Sequence, residues 1–122
     1  MMYSAIVKHK VNSYYDKNKK SYLHELYFCN TKLYPSLSHK LFGDALYSWG
    51  HFNSGASQLA YTILLHHTND GTVAYEHYRA FLRNIVSKKF INKSWYMSSA
   101  DVEQWLQNEA YLQQKYRFEA YA

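Results

Sequence analysis

Residues 49–60 form the stretch of this sequence whose residue types and spacing are best suited to holding a ligand. They read W-G-H-F-N-S-G-A-S-Q-L-A, so two of the chain's four glycines precede a run with helical spacing. A helix that begins after such a turn leaves about four backbone N–H groups unpaired, and its dipole adds roughly half a positive charge there. These features favour a bound phosphate. The candidate phosphate-binding residues are Ser54, Gly55, Ser57 and Gln58.

A plain structural turn is the alternative for this stretch, with Gly50 and Gly55 permitting a sharp bend. The stretch lacks the Gly-Lys-Ser/Thr of a Walker A loop. Its glycine spacing also differs from that of a dinucleotide-binding fingerprint, and no βαβ unit follows. The sequence therefore predicts an anion site of no established nucleotide-binding class.

A second group of candidate residues lies in the later, helical part of the chain. Arg79 and Arg83 are four residues apart and share one helix face, where they could hold an anion. Phe81 and Trp49 are candidates to stack on a base. The alternative is a solvated helix face that pairs with Glu76. The whole cluster comprises Arg79, Phe81, Arg83, Lys88, Lys89, Asn92 and Lys93.

Catalytic and metal-binding chemistry is not indicated. The chain has seven histidines, but no H-x-x-x-H pair, and the adjacent His66 and His67 would point in different directions on a helix. With one cysteine, Cys29, a structural zinc site is not expected. No nucleophile–base pair or paired carboxylates form a recognisable set. We therefore expect no catalytic residues, no metal, no cofactor and no enzymatic activity.

The charge is unevenly distributed. Residues 1–40 carry seven lysines and two acidic residues, whereas residues 41–122 carry seven basic and seven acidic residues, so the net charge of +5 lies in the first third. This imbalance indicates an anionic partner such as nucleic acid. The alternative is a hairpin whose lysines protect exposed strand edges. The fourteen tyrosines are typical of interfaces and stacking surfaces, and we expect a homo-oligomer.

Localisation follows from what the sequence lacks. The N-terminus has no long apolar segment of the kind that signal peptides carry, and no apolar run approaches 18 residues. A single cysteine cannot form an intramolecular disulfide. We therefore expect a cytoplasmic protein with no membrane partner, in the host cytoplasm if it is phage-encoded.

Residue periodicity predicts one α+β domain over residues 1–122. Strands are predicted over residues 2–8, 22–29, 33–34, 45–49 and 94–97, with a polar turn over residues 12–21 and another at 43–44. Helices are predicted over residues 56–67, from 72 to about 89, and over 100–117. Strands that precede helices favour a small antiparallel sheet from the N-terminal half, packed against two or three C-terminal helices.

Helix ends and inward faces are also predicted. Ser54 and Thr72 are the expected N-caps of the first two helices, and Gly71 is the expected left-handed C-cap between them. The third helix is expected to begin after Ser98, three residues before Asp101. Its expected inward-facing residues are Val102, Trp105, Leu106 and Leu112.

Several of these residues together resemble an uncharacterised family of small bacterial and phage domains. The resemblance rests on W-G-x(3)-S-G-x-x-Q-L-A at residues 49–60, Y-x-x-F at 78–81 and W-x-M-S-x-x-D-V at 95–102, and it covers about residues 45–106. The chain departs from the family at His51, Phe52 and Asn53, where the family is richer in glycine, and at Ala56, where proline is usual. The resemblance implies no settled activity.

The chain is also similar in size, charge and aromatic richness to small phage counter-defence proteins, including the anti-Thoeris sponges. That similarity implies a non-catalytic, phage- or mobile-element-encoded protein that sequesters a nucleotide-derived anionic signalling molecule. Two alternatives remain open. One is an inhibitor of a host nucleic-acid or CRISPR-type defence complex, and the other is direct nucleic-acid binding by the basic N-terminal hairpin.

Overall fold

The computed structural model of the protein describes residues 1–11, 20–35 and 46–121. Within those ranges the chain forms four strands, β1 Met2–Val11, β2 Lys20–Phe28, β3 Thr31–Leu33 and β4 Trp95–Ser98. It also forms the helices α1 Ser54–Thr68, α2 Gly71–Asn84 and α3 Ser99–Tyr121, with a short 3₁₀ helix at Val86–Lys88. The predicted α+β class is confirmed.

The strands form one antiparallel sheet in the order β3-β2-β1-β4. Ala5 of β1 lies opposite Leu26 of β2 on one side and Trp95 of β4 on the other. Because side chains alternate along a strand, these three residues share one face, and all three are buried. The helices pack against this face, so the alternation seen in the sequence defines the core.

Helix α1 is the centre of that core. Leu59, Ile63 and Leu64 are fully buried, and their spacing keeps them on the side of the helix that meets the sheet and α2. Helix α3 packs against α1, and it also contacts α2, where the rings of Trp105 and Phe81 lie 5.0 Å apart. Leu112 of α3 is 43% exposed, so its predicted inward position is wrong. It lies beyond the part of α3 that meets the core.

The observed N-caps differ from the predicted ones by one or two residues. Asn53, not Ser54, caps α1, and its side-chain oxygen accepts the N–H of Ala56 at 2.9 Å. Asp70, not Thr72, caps α2 by accepting the N–H groups of residues 72 and 73. Asn and Asp are at least as good at this position as Ser and Thr, and here they occur earlier in the chain.

The left-handed residue between these helices is Asn69, with φ of 52°, whereas Gly71 is the first residue of α2. Asn adopts the left-handed conformation more readily than most residues, so Asn69 can take the role that was predicted for Gly71. The start of α3 agrees with the prediction, because the Ser98 hydroxyl accepts the N–H of Asp101 at 3.0 Å.

The predicted strand over residues 45–49 is wrong over its described part, residues 46–49, which join no sheet. The chain instead turns at Gly50, whose N–H donates to the carbonyl of Val86 at 3.0 Å. The fourth strand of the sheet is β4, from the later half of the chain. Of the turn predicted over residues 12–21, residues 12–19 lie outside the described residues and residues 20–21 belong to β2 instead. The turn predicted at 43–44 also lies outside the described residues. No helix in the described ranges is both long and apolar enough to cross a membrane.

Candidate functional site

The start of α1, where a phosphate site is predicted, is closed by polar groups of the preceding turn. The side-chain oxygen of Asn53 accepts the Ala56 N–H and also the Ser48 hydroxyl, at 2.7 Å from the latter. Its side-chain nitrogen lies 2.9 Å from Nε2 of His51. Ser57 donates both its N–H and its hydroxyl to the carbonyl of Asn53. Several donors that were expected to face a ligand therefore bind within the chain.

The two glycines of this turn sit where no side chain would fit. Gly50 has φ of +84°, and a Cβ there would lie 2.6 Å from Cγ1 of Ile91 and 2.7 Å from the carbonyl oxygen of Lys89. Gly55 is buried, and a Cβ there would lie 2.2 Å from the carbonyl oxygen of Leu46. Glycine fits at both positions because other parts of the chain come too close to the backbone for a side chain. This agrees with the alternative interpretation of the stretch as a structural turn.

Three of the candidate ligand-binding residues are part of the core. Gln58 is 2% exposed, and its amide donates to the Thr62 hydroxyl at 3.0 Å. Trp49 and Phe81 are fully buried. The Trp49 indole N–H donates to the Lys93 carbonyl at 2.9 Å. Contact between these rings and a ligand requires a change of conformation, whereas their packing in the core requires none.

The two arginines of the candidate cluster lie on the exposed face of α2. The side chain of Arg79 donates to the Tyr78 hydroxyl at 3.2 Å and lies 5.6 Å from that ring. Within the described residues, neither Arg79 nor Arg83 forms an ion pair with Glu76. The alternative interpretation of this face predicted that the arginines pair with Glu76, and the described side chains form no such pair. Both arginines do face solvent, as that interpretation requires.

The structure brings the turn at residues 49–53 together with the loop of residues 88–93, which we call the Lys-Phe loop. The Trp49 indole donates to the carbonyl of Lys93, the last residue of the loop, and the Gly50 N–H donates to the carbonyl of Val86, two residues before the loop. The turn at residues 49–53 therefore holds the chain on both sides of Phe90 and Ile91.

The fastened loop directs its large side chains into solvent. Phe90 is 77% exposed and Ile91 56%, and Phe52 on the adjoining turn is 69% exposed. The Lys93 amine lies 5.4 Å above the Phe90 ring. We call this surface the Phe90 patch, and it comprises Phe52, Lys88, Lys89, Phe90, Ile91 and Lys93. Sequence reasoning selected the lysines and Asn92 but missed the three apolar residues. The pattern K-K-F-I-N-K, just beyond the apolar stripe of α2, was the available signal.

The Phe90 patch and the turn at residues 49–53 lie within a segment that matches a known domain family. A family model for a domain of unknown function, DUF6166, matches residues 13–108. The chain belongs to this family. The expected membership in an uncharacterised domain family is thereby confirmed. No curated protein and no solved structure shows a significant match to the chain.

The basic N-terminal third of this DUF6166 domain is partly neutralised by its own carboxylate. Glu25 of β2 is 5% exposed and pairs with Lys32 and Lys8, the latter at 2.8 Å. Hydrogen bonds from Lys32 and Lys8 lower the pKa of Glu25 to about 2, so it is charged at neutral pH. The other lysines of residues 1–40 lie outside the described side chains. The predicted nucleic-acid contact of this region stays a prediction.

Two cavities of the DUF6166 domain flank Tyr34. The larger, about 460 Å³, lies between β3 and the C-terminal half of α1, and the smaller, about 120 Å³, lies between β2 and residues 46–47. Neither is lined by residues of the Lys-Phe loop. In the part of the chain that the structure describes, no three His, Cys, Asp or Glu side chains are grouped closely enough to hold a metal ion.

Proposed function

We propose that this DUF6166 domain is a non-catalytic binding module that holds a phosphate-bearing partner with exposed flat rings through the Phe90 patch. Single-stranded nucleic acid has this chemistry. Aromatic side chains stack on its bases, and lysines neutralise its phosphates. The observation that carries the proposal is the 77% exposure of Phe90 on a loop whose backbone is fastened in place.

The hydrogen bonds that hold this loop matter because they show that the Phe90 side chain is exposed on an ordered backbone. The bonds to Val86, two residues before the loop, and to Lys93, its last residue, hold the chain on both sides of Phe90 and Ile91. An exposed apolar patch with a polar rim is typical of a binding surface. A surface that is already ordered also loses less entropy on binding than a flexible one.

The shape of the patch favours an extended partner over a small molecule. Small-molecule sites are mostly concave, and neither cavity near Tyr34 borders the Lys-Phe loop. A single strand can lie across an exposed surface, with successive bases against Phe90 and Phe52 and the backbone against the lysines. The charge of Lys88, Lys89 and Lys93 supplies the electrostatic part of this contact.

Fluorescence anisotropy with a labelled single-stranded oligothymidylate tests this proposal across a range of salt concentrations. We expect Phe90→Ala with Ile91→Ala to weaken binding by about tenfold or more, since base stacking contributes roughly 1–3 kcal/mol per base. Tyr75→Ala is the matched control, because Tyr75 is an exposed aromatic on α2 outside the patch. Equal affinity of the double variant and the control would refute the proposal.

Salt dependence gives a second, independent readout of the same contact. Changing Lys88, Lys89 and Lys93 to Gln should reduce the slope of log affinity against log salt by about 2, because each phosphate contact on a single strand contributes roughly 0.7. Changing Arg79 and Arg83 to Gln tests the other cationic face in the same way. A slope that falls only in the arginine variant would move the site to α2.

Sequestration of a nucleotide-derived signalling molecule, as a phage counter-defence protein would perform it, is the small-molecule form of this proposal. The same patch supplies the charge and the stacking faces that such a ligand needs. Competition of cyclic nucleotides and cyclic ADP-ribose isomers against the labelled strand distinguishes the two forms. Displacement at stoichiometric ligand concentration supports sequestration, and displacement only at large excess supports nucleic-acid binding. Mass spectrometry of small molecules released from the purified protein by heat checks the first outcome directly.

A further inference from the structure

We infer that the cavity between β3 and the C-terminal half of α1 is a second binding site, for a neutral planar heteroaromatic ring of nucleoside size. The cavity measures about 460 Å³, within the range of roughly 300–1,000 Å³ that small-molecule sites occupy. Tyr34, His66 and Asn69 contribute its polar groups, and Leu33 and Leu65 contribute apolar walls. This site does not depend on the Phe90 patch.

His66 supplies a hydrogen-bond donor of fixed position. Its Nδ1 lies 2.8 Å from the hydroxyl of Tyr3, a residue that is 2% exposed. Burial raises the pKa of Tyr3 to about 12, so the hydroxyl keeps its proton at neutral pH. In the His66 tautomer that is protonated on Nε2, this hydroxyl donates to Nδ1. We assign this tautomer to the ligand-bound site, where the Nε2 N–H is the donor to an acceptor in the cavity.

Tyr34 supplies a stacking face. Its side chain is 70% exposed and lines the cavity. The Lys32 amine lies 5.1 Å above the ring, so a flat ligand would stack on the opposite face. Leu33 and Leu65 are half-buried and pack against the core, which makes the walls beside the ring apolar and firm. A planar ring with apolar faces and a polar edge therefore fits this lining better than an aliphatic chain does.

The charges around the cavity favour a neutral ligand. Lys32 lines it, but the carboxylate of Glu25 already pairs with that amine. Burial lowers the pKa of His66, which therefore stays uncharged at neutral pH. The cavity also adjoins the C-terminal end of α1 at Asn69, where the last carbonyls carry partial negative charge. Among the described residues that line the cavity, no unpaired cation remains for a free phosphate.

Ligand-observed NMR titration with adenosine, guanosine, cytidine and uridine tests the site. We expect saturable binding of at least one nucleoside, weakened about tenfold by Tyr34→Ala through the loss of stacking. Adenosine monophosphate should bind no more tightly than adenosine. Tyr75→Ala is again the matched control. Absence of saturation with all four nucleosides at millimolar concentration would overturn the inference, and so would equal affinity of Tyr34→Ala and the control.

His66 variants test the hydrogen bond separately from folding. His66→Gln retains an oxygen to accept from Tyr3 and an N–H to donate, so its affinity should stay close to that of the original chain. His66→Phe keeps a flat ring but loses both groups, and it should weaken nucleoside binding about tenfold or less. If the Gln and Phe variants, both checked for intact thermal unfolding, bind nucleosides equally, the assigned donor is wrong. Oligothymidylate binding should be unchanged in all of these variants, which separates this inference from the proposed function.

Discussion

The turn at residues 49–53, taken together with the start of α1, lies beside the Lys-Phe loop, and the two are built in opposite ways. In the turn and the start of α1, the conspicuous residues make contacts within the fold. Asn53 caps α1, Trp49 is buried, and Gly55 lies against the Leu46 carbonyl. In the loop, the backbone is fastened while Phe90 and Ile91 are left in solvent. A residue pattern that stands out in a sequence, such as that of the turn, can therefore stabilise the fold. The Phe90 patch beside it is the better candidate for binding.

Trp49→Ala should have the largest effect on stability. Trp49 is fully buried, and the alanine variant loses both its packing and its hydrogen bond to Lys93. We therefore expect a loss of about 3–5 kcal/mol in the free energy of unfolding. Phe90→Ala should change it by less than about 0.5 kcal/mol. Urea denaturation measures both. Similar losses in the two variants would contradict the contrast between turn and loop.

Gly55→Ala tests the turn by overpacking rather than by removal. The new Cβ would lie 2.2 Å from the Leu46 carbonyl oxygen, so the backbone must move, at a cost of about 1–3 kcal/mol. Gly71→Ala is the matched control. Gly71 begins α2 at negative φ, and alanine there should be neutral or stabilise the protein by up to about 1 kcal/mol. A turn that accepts alanine at residue 55 without loss would not be the closed structure described above.

Glu25 extends the comparison to a charged part of the sheet. Its pKa falls from 4.5 to about 2 because the folded state favours the carboxylate beside Lys32 and Lys8. The contribution is fully present above about pH 4.5 and is lost as the pH falls towards 2. We expect it to be on the order of 1–2 kcal/mol, since both lysines are partly exposed and water screens them.

Denaturant unfolding at several pH values between 2 and 6 measures this contribution. Glu25→Gln should remove most of the change in stability across that window, and Glu76→Gln, on the exposed side of α2, should leave it in place. An unchanged pH profile in the Glu25 variant would show that the ion pairs stabilise the sheet too little to measure.

Much of the fold was predictable because periodicity reports burial. The alternation around Ala5 and Leu26 and the spacing of Leu59 and Ile63 correspond directly to the faces that the sheet and α1 bury. The strand predicted over residues 45–49 failed for a long-range reason. Tyr47 and Trp49 are buried, but Trp49 is hydrogen-bonded to Lys93, some forty residues later in the chain, which no local pattern reveals.

The candidate site was harder to predict for the same reason. Gln58 and Phe81 have side chains that could bind a ligand, and only the packing of α1 and α2 shows that they are buried. Conversely, Phe90 and Ile91 look like core residues in a sequence. The turn that holds the chain on both sides of them, through bonds to Val86 and Lys93, is some forty residues earlier in the sequence.

Asn53→Ala should have the smallest effect, and it separates the two possible caps of α1. Removing the side-chain oxygen leaves the Ala56 N–H without its acceptor, which should cost about 1 kcal/mol in the free energy of unfolding. Ser54→Ala should cost less than about 0.5 kcal/mol, because Ser54 is the exposed first residue of the helix. If Ser54→Ala were the more damaging change, the cap would lie one residue later, as predicted from the sequence. The amides at the start of α1 would then be arranged differently, and a phosphate site there would regain its physical basis.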